Sequence, residues 1–246
     1  MKSSKKNTFF AMLLIFSMLF GGGIAAIRET AAIQTLSPAQ RGKYPVIIDP
    51  GHGGEDGGAV SRNGTIESNI NLAIGLKLDA IFALYGISAD MTRREDRSIH
   101  DDTASTLRQK KVSDLHNRVA MIERTPGTTL ISIHQNKFTN PAYHGAQVFF
   151  ANPALSLPLA TITQDTLRIL DPKNHRLPAK IPDQVYLMRH ITCRAILVEC
   201  GFLSNLEEDL RLNTDAYQTK IAASLAASYL NLIQTEEGAW SHVAES

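Results

Sequence analysis

The sequence predicts a single α/β domain whose mainly parallel, twisted sheet carries helices on both faces. Runs of strand length that are rich in apolar and β-branched residues occur at residues 46–48, 128–134 and 195–199, as in strands buried on both faces. Segments with helical spacing of apolar residues alternate with these runs, which is typical of parallel sheets. The length of 246 residues suits one domain with a substantial core.

The remaining elements follow from the same two periodicities. Apolar residues recur every three or four positions in the helical segments, whereas they alternate or run continuously in the strands. In chain order we expect a helix from near Glu67 to a C-cap at Gly86, a strand at 87–93, an irregular polar insertion at 95–111, a helix over Asp114–Arg124 ended by Pro126 and Gly127, a strand at 145–151, a helix over Ala154–Leu170, a short strand at 185–189, a helix capped by Ser204 or Asn205, and a final helix over Ala216–Ile233.

The N-terminal segment predicts export. Three lysines precede an uncharged apolar run from Phe9 to Ile27, so residues 1–27 are expected to be a signal peptide or a membrane anchor, and the composition leaves both open. Residues 28–43 are expected to be a linker, 44–234 the catalytic domain and 235–246 a flexible tail. The net charge of +1 gives no reason to expect nucleic acid as a partner.

The two cysteines, Cys193 and Cys200, could pair in an oxidising compartment. We expect them to stay reduced, because Cys200 ends an apolar run and free cysteine commonly behaves as a small buried hydrophobe.

A histidine stands where the first strand gives way to a glycine-rich loop. His52 follows the strand directly, at the edge of the sheet where ligands bind in open α/β folds. A phosphate loop is disfavoured, since GHGGEDGG has neither the GxxxxGK[ST] lysine nor the GxGxxG spacing. A simple turn with a structural histidine remains open. The flanking Asp49 and Asp56 either orient His52 or close turns.

Three further residues complete a candidate metal centre with His52. His134 and Glu199 end two other strands, and Glu67 begins a helix. Two imidazoles and a carboxylate are a ligand set of catalytic zinc, with a second carboxylate as general base. We therefore expect His52, Glu67 and His134 to bind one Zn²⁺ per chain and Glu199 to act as the base. Each candidate also has a purely structural explanation. His134 could be a packed histidine, Glu67 an acid at a helix start, and Glu199 a salt-bridge partner.

Two nearby residues are weaker candidates. Cys200 is a conceivable thiolate ligand, but successive side chains of a strand face opposite ways, so it should point away if Glu199 faces the site. His144 could lie at the rim.

The chain resembles the zinc-dependent N-acetylmuramoyl-L-alanine amidases of the Amidase_3 type. The resemblance runs from about Tyr44 to Ile233 and rests on segments that include DPGHGGEDGGA, LHNRVAMIE, SIHQN and VECGFLSN. It implies a phosphorylase/hydrolase-like fold and hydrolysis of the amide between N-acetylmuramic acid and L-alanine in peptidoglycan. It also implies zinc ligation by His52, Glu67 and His134, catalysis by Glu199, and a place for Asn136 beside the substrate groove.

The similarity is greatest to the germination-specific amidases of spore formers. It extends to the segments TASTLRQKKVSDLHNR and QVYLMR, and it implies a role in the spore cortex, where muramic-δ-lactam is formed. The chain departs from the family pattern at Gln135 and Cys200, neither of which removes a ligand or the base. A vegetative turnover or division amidase and a catalytically silent peptidoglycan-binding module remain alternatives. Whether an activating partner protein is needed stays open.

Overall fold

The central sheet has six strands in the order β2-β1-β3-β6-β4-β5. The computed structural model describes residues 45–244, with side chains described as far as residue 236. In chain order the elements are β1 (Val46–Pro50), α1 (Glu67–Leu84), β2 (Ala89–Met91), α2 (Leu107–Glu123), β3 (Thr129–Asn136), β4 (Gln147–Phe150), α3 (Pro153–Arg168), β5 (Ala179–Lys180), α4 (Tyr186–Arg189), β6 (Arg194–Phe202), α5 (Leu206–Leu212) and α6 (Asp215–Ala244).

The strands are mainly parallel, as predicted. β1, β2, β3 and β6 run in one direction, and β4 pairs with β6 antiparallel. The register brings the predicted site residues to one edge, because His134 of β3 lies directly opposite Glu199 of β6. The same edge receives the end of β1, where Pro50 pairs with Ile133. The carboxyl ends of three neighbouring strands therefore meet where the site was expected.

Helices cover both faces of the sheet, which confirms the α/β class. One face packs against α1, α3 and α6 through a core that includes Ile74, Leu159 and Leu225. The other face packs against α2 and α4, with Ile122 and Leu187 buried. Each such side chain contributes about 1.5–3 kcal/mol when fully buried, so the two cores fix the strand ends that carry the site.

The helix predicted over Asp114–Arg124 begins earlier, at Leu107. The Thr106 side chain accepts a hydrogen bond from the backbone N–H of Gln109, and the Gln109 side chain accepts one from the backbone N–H of Thr106. This capping box satisfies donors that a helix start otherwise leaves unpaired. The expectation of an irregular insertion over all of 95–111 was therefore wrong for its last five residues.

The short strand predicted at residues 185–189 is also wrong, because Tyr186–Arg189 forms the helical turn α4. Its backbone hydrogen bonds are local, from Val185 N–H to the Pro182 carbonyl and from His190 N–H to the Leu187 carbonyl. The apolar run of this segment buries the adjacent residues Leu187 and Met188 against the second face of the sheet. An apolar run this short does not distinguish a strand from a helical turn.

The final helix, predicted to end at Ile233, continues to Ala244 and so runs through most of the tail that we expected to be flexible. The added segment contains no proline, the residue that interrupts helices most strongly. Arg194 of β6 also holds Glu236 by an ion pair with an N–O distance of 2.5 Å.

The predicted leader and linker lie outside the described residues. Between residues 45 and 244, no helix is long and apolar enough to cross a membrane.

The two cysteines are free, as expected. Cys200 is buried in the core on the face of α1, α3 and α6, whereas Cys193 packs against the core on the face of α2 and α4.

Candidate active site

His52, Glu67 and His134 meet at the carboxyl edge of the sheet. Glu67 Oε1 lies 3.0 Å from His134 Nδ1 and 3.4 Å from His52 Nε2. Ligand atoms from all three residues lie within 4.8 Å of one another, and this is the only such cluster of three or more among the described residues. The sequence placed these three side chains together, and the structure brings them together.

Two glycines permit this close approach. A Cβ atom on Gly51 would lie 2.2 Å from the ring of His134, and one on Gly58 would lie 2.6 Å from Glu67 Oε2. Neither position can carry a side chain without displacing a candidate ligand. His52 itself has a φ of 61°, the only positive φ of a non-glycine residue in the described part of the chain. Strain of this kind concentrates at functional sites, and here it turns the imidazole towards Glu67.

Asp56 orients His52. Its Oδ2 lies 3.0 Å from His52 Nδ1, which favours the tautomer with the proton on Nδ1 and leaves Nε2 facing Glu67. Burial alone would lower the pKa of His52, but the hydrogen bonds and charges of Asp56 and Glu67 outweigh it and raise the pKa to about 9. Asp56 also accepts from the backbone of Gly58, so it both orients the histidine and closes a turn.

Glu67 is fixed in place by donors from several elements. The backbone N–H of Ala59 donates to Oε2, and the backbone N–H of Gln135 donates to Oε1. Asn71, one turn further along α1, donates to Oε1 over 3.3 Å. Burial would raise the pKa of Glu67, but the two histidines outweigh it and hold the pKa well below its usual range. Glu67 is therefore a carboxylate at neutral pH.

Glu199 lies at the same edge in a different environment. Burial first, and then the charge of Glu67, raise its pKa to about 7 against the opposing influence of His134 and His52. Its Oε2 is inaccessible and has no hydrogen-bond partner among the described residues. The neighbouring Cys200 faces the core on the opposite side, as strand alternation predicted. A carboxyl group that titrates near neutrality beside three candidate ligands suits proton transfer.

The site opens into a cavity of about 220 Å³. His52, His134 and Glu199 form one part of its wall, and Leu115, Val185, Tyr186, Leu187 and Leu197 form an apolar part. Most of this apolar part of the wall comes from α2 and α4, which contain most of the segments TASTLRQKKVSDLHNR and QVYLMR. Asn136, expected beside the groove, is the last residue of β3 and is partly exposed.

Sequence reasoning missed two buried arginines that hold the loop carrying His52. Arg118 donates to the carbonyls of Pro50 and His52, and Arg93 donates to those of Pro50, Gly51 and Ser68. Arg118 also forms a buried ion pair with Asp49, which therefore anchors the arginine instead of orienting His52. The signal for Arg118 was its place one turn after Asp114 on an otherwise apolar helix face.

The other histidines whose side chains the structure describes lie outside the cluster. His144, expected as a rim residue, pairs with Asp171 over 2.6 Å. His116 and His190 both pack against Tyr186.

The residues present fit a divalent metal ion. Donor atoms about 2.0–2.2 Å from a tetrahedral ion lie roughly 3.4 Å apart, which is close to the 3.0 and 3.4 Å measured from Glu67 Oε1 to the two imidazoles. Two imidazoles with one carboxylate are also the donor chemistry of catalytic zinc sites.

The fold and the site together define a class of α/β hydrolases with a candidate metal centre at the carboxyl edge of a mainly parallel sheet. Within that class the chain belongs to the N-acetylmuramoyl-L-alanine amidase family, Amidase_3, whose sequence profile matches residues 46–231.

Named relatives agree with this membership. The chain is 33% identical over 194 residues to the germination-specific N-acetylmuramoyl-L-alanine amidase of Bacillus subtilis, covering 78% of this chain and 81% of that protein. It is 27% identical over 235 residues to the amidase AmiA of Escherichia coli, covering 77% and 76%. Among solved structures, the CwlD amidase from Clostridioides difficile in complex with the GerS lipoprotein is similar, with a TM-score of 0.75, 34% identity, and coverage of 78% and 99%.

Proposed function

We propose that this amidase cleaves the amide between N-acetylmuramic acid and L-alanine with one zinc ion held by His52, Glu67 and His134, and that it acts on spore cortex. The observation that carries the proposal is the convergence of these three donors beside Glu199. Family membership supplies the reaction, and the site supplies the residues that would perform it.

A zinc ion in this position would supply a Lewis acid that polarises the amide carbonyl and acidifies water. His52 would use Nε2, since Nδ1 is held by Asp56. His134 would use Nδ1, the nitrogen that faces Glu67. Gly51 and Gly58 keep the approach to these side chains free of steric conflict.

Glu199 is the proposed general base and acid. As a carboxylate it accepts a proton from the attacking water, and as a carboxylic acid it returns that proton to the departing nitrogen of L-alanine. Burial raises the pKa of Glu199 above its usual range, which makes the protonated form needed for the second step easier to reach.

We propose that the enzyme works outside the cytoplasmic membrane. Residues 1–27 would direct export as a signal peptide or anchor, and residues 28–43 would act as a linker to a catalytic domain at 44–234. If residues 1–27 stay in the membrane, the linker reaches at most about 50–60 Å, which suits peptidoglycan close to the membrane or the space between the forespore membranes. If residues 1–27 are instead removed as a signal peptide, the domain would be secreted to the wall.

The role in spore cortex is supported by the relatives. One relative is a germination-specific amidase, and another is the CwlD amidase, whose structure was solved in complex with the GerS lipoprotein. By the same reasoning we propose that a partner protein can engage this chain. The principal alternative is an amidase of vegetative turnover or division, and AmiA of Escherichia coli is also a relative.

The test of the reaction is muropeptide analysis by mass spectrometry after digestion of purified peptidoglycan. We expect new L-alanine amino termini and glycan strands without peptide, and about one zinc per chain in the active protein. Cleavage within the stem peptide would instead identify a peptidase. No cleavage by metal-loaded protein, with glycan still bound, would identify a silent binding module.

The test of the biological role is deletion in a spore-forming host. Muramic-δ-lactam should disappear from the cortex while vegetative wall composition stays normal. Normal δ-lactam with poorly separating cells would place the enzyme in division or turnover.

A further inference from the structure

An exposed pair of aromatic rings lies beside the candidate site. Phe138 and Tyr143, in the loop between β3 and β4, are 52% and 47% exposed, and their ring centroids are 5.3 Å apart. Both pack on the buried ring of Phe202 at the end of β6, with centroid distances of 5.8 and 6.0 Å. We call Phe138, Tyr143 and Phe202 the aromatic shelf. None of these residues is used by the reaction proposed above.

The shelf is held rigidly. The backbone N–H of Phe138 donates to Ser204 Oγ, and the side chain of Asn205 donates to the Pro141 carbonyl. On the other side of the loop, Arg176 lies over the Phe202 ring, with its Cζ atom 5.0 Å from the centroid, and also donates to the carbonyls of His144 and Gly145. Because the loop is already ordered, binding of a ligand to the rings does not include the free-energy cost of ordering the loop.

The position of the shelf relates it to the reacting bond. Phe202 lies opposite Asn136 in the register of β6 and β3, and His134 lies opposite Glu199 two to three residues earlier on the same strands. Phe138 is four residues from His134, so their Cα atoms are at most about 14 Å apart. That is a span of a few sugar rings.

We propose that the aromatic shelf binds the sugar rings of the glycan strand next to the muramic acid that is cleaved. This inference rests on the proposed function, because the reacting amide hangs from one sugar of a strand whose neighbouring sugars must cross the enzyme surface. The C–H faces of a pyranose ring are electropositive and pack against the negative face of an aromatic ring. Phe138 and Tyr143, whose ring planes are inclined at 48° with centroids 5.3 Å apart, can each contact one of two consecutive sugars.

The exposed aromatic area is small for a protein partner, since a stable interface buries about 800 Å² on each side. Two further apolar side chains, Leu206 and Leu210 of α5, are 63% and 59% exposed, and α5 begins directly after Asn205, whose side chain donates to the Pro141 carbonyl of the loop. A protein partner large enough to bind stably would need them as well, whereas stacking of sugars would not. They therefore serve as matched controls.

The test compares two substrates in the full chain loaded with zinc. One is polymeric glycan carrying stem peptides, and the other is a single N-acetylmuramoyl peptide without neighbouring sugars. For the double variant Phe138→Ser/Tyr143→Ser we expect kcat/KM on the polymer to fall about tenfold, through KM, because each stacked ring contributes modestly. Activity on the single muramoyl peptide should stay within about twofold of the parent.

Two controls separate stacking from structural damage. The double variant Phe138→Tyr/Tyr143→Phe should retain the activity on the polymer, since both substitutions keep an aromatic ring. Leu206→Ser/Leu210→Ser should leave both activities unchanged. An equal loss on both substrates in the first double variant, or no loss on the polymer, would overturn the proposal. The proposal would also be overturned if the leucine variant lost as much activity on the polymer as the serine double variant. That result would indicate a broad protein-docking surface.

A binding measurement distinguishes failure of this inference from failure of the proposed reaction. Peptide-free glycan strands, titrated by calorimetry, should bind the parent and the leucine variant but bind the serine double variant at least about tenfold more weakly. If the parent binds glycan through the shelf but releases no L-alanine amino termini, the proposed reaction fails and the shelf assignment stands. If the parent cleaves the amide but glycan affinity is indifferent to the rings, the shelf assignment fails alone.

Discussion

Replacing Arg118 by methionine tests the buried anchor beneath His52. The Arg118 and Asp49 side chains are only 3% and 1% exposed, with an N–O distance of 2.5 Å. Arg118→Met would leave the Asp49 carboxylate buried without its cation and would leave the carbonyls of Pro50 and His52 without this donor. Removing one partner of a buried ion pair costs about 3–5 kcal/mol. We expect the free energy of unfolding to fall by about 4 kcal/mol.

The origin of that loss can be isolated with a double-mutant cycle. In Asp49→Asn/Arg118→Met neither charge remains, so the combined loss should be smaller than the sum of the single losses by at least about 1.5 kcal/mol. Arg124→Met is a matched control from the end of the same helix, because Arg124 is exposed and donates only to the Ala120 carbonyl. It should change stability by no more than about 0.5 kcal/mol.

The assay is urea denaturation at neutral pH, with the free energy extrapolated to water and equal m-values required for the comparison. A loss below about 1 kcal/mol in Arg118→Met would refute the reasoning. Strict additivity of the two single losses would refute it equally, since it would mean that the two charges do not stabilise each other.

Three other predictions concern the site and one helix start. Gly51→Ala places a Cβ 2.2 Å from the His134 ring, so zinc content and activity should fall together. Gly64→Ala meets no atom within 4 Å, so it should retain both, although the φ of 82° at Gly64 makes an alanine there strain the backbone and lower stability. Glu199→Gln should keep zinc, measured by metal analysis, but lose about 10²–10⁴-fold in kcat. Thr106→Ala removes the capping box of α2 and should lower the unfolding free energy by about 1 kcal/mol in the urea assay, whereas Thr106→Ser should not.

Each of these has a contrary outcome that would count against its premise. Full zinc content in Gly51→Ala would mean that His134 is not a ligand or can move freely. A parental rate in Glu199→Gln would remove Glu199 from the mechanism. Parental stability in Thr106→Ala would mean that the first turn of α2 frays in solution.

The site was predictable because strand ends carry its residues. The apolar runs before His52, His134 and Glu199 identified three buried strands, and parallel strands bring their carboxyl ends to one edge. Glu67 was harder to assign, since an acid at a helix start is common without any function. The structure distinguishes it by the donors that converge on its two oxygens.

Features that depend on tertiary contact were not predictable. Arg93 and Arg118 are charged residues, which usually lie at the surface, and only the packed structure shows that they bind the carbonyls of a loop distant in sequence. α4 was mistaken for a strand because a four-residue apolar segment fits both periodicities. The aromatic shelf needed the pairing of β3 with β6, which brings together Phe138 and Phe202, two residues 64 positions apart in the sequence.

The placement of the two thiols has a practical consequence for making and handling this protein. Cys193 and Cys200 lie on opposite faces of the sheet, separated by seven residues of nearly extended chain, which is roughly 20 Å or more. That distance far exceeds the reach of a disulfide. The domain therefore needs no disulfide to fold, and it should reach the same fold in a reducing compartment as in an oxidising one.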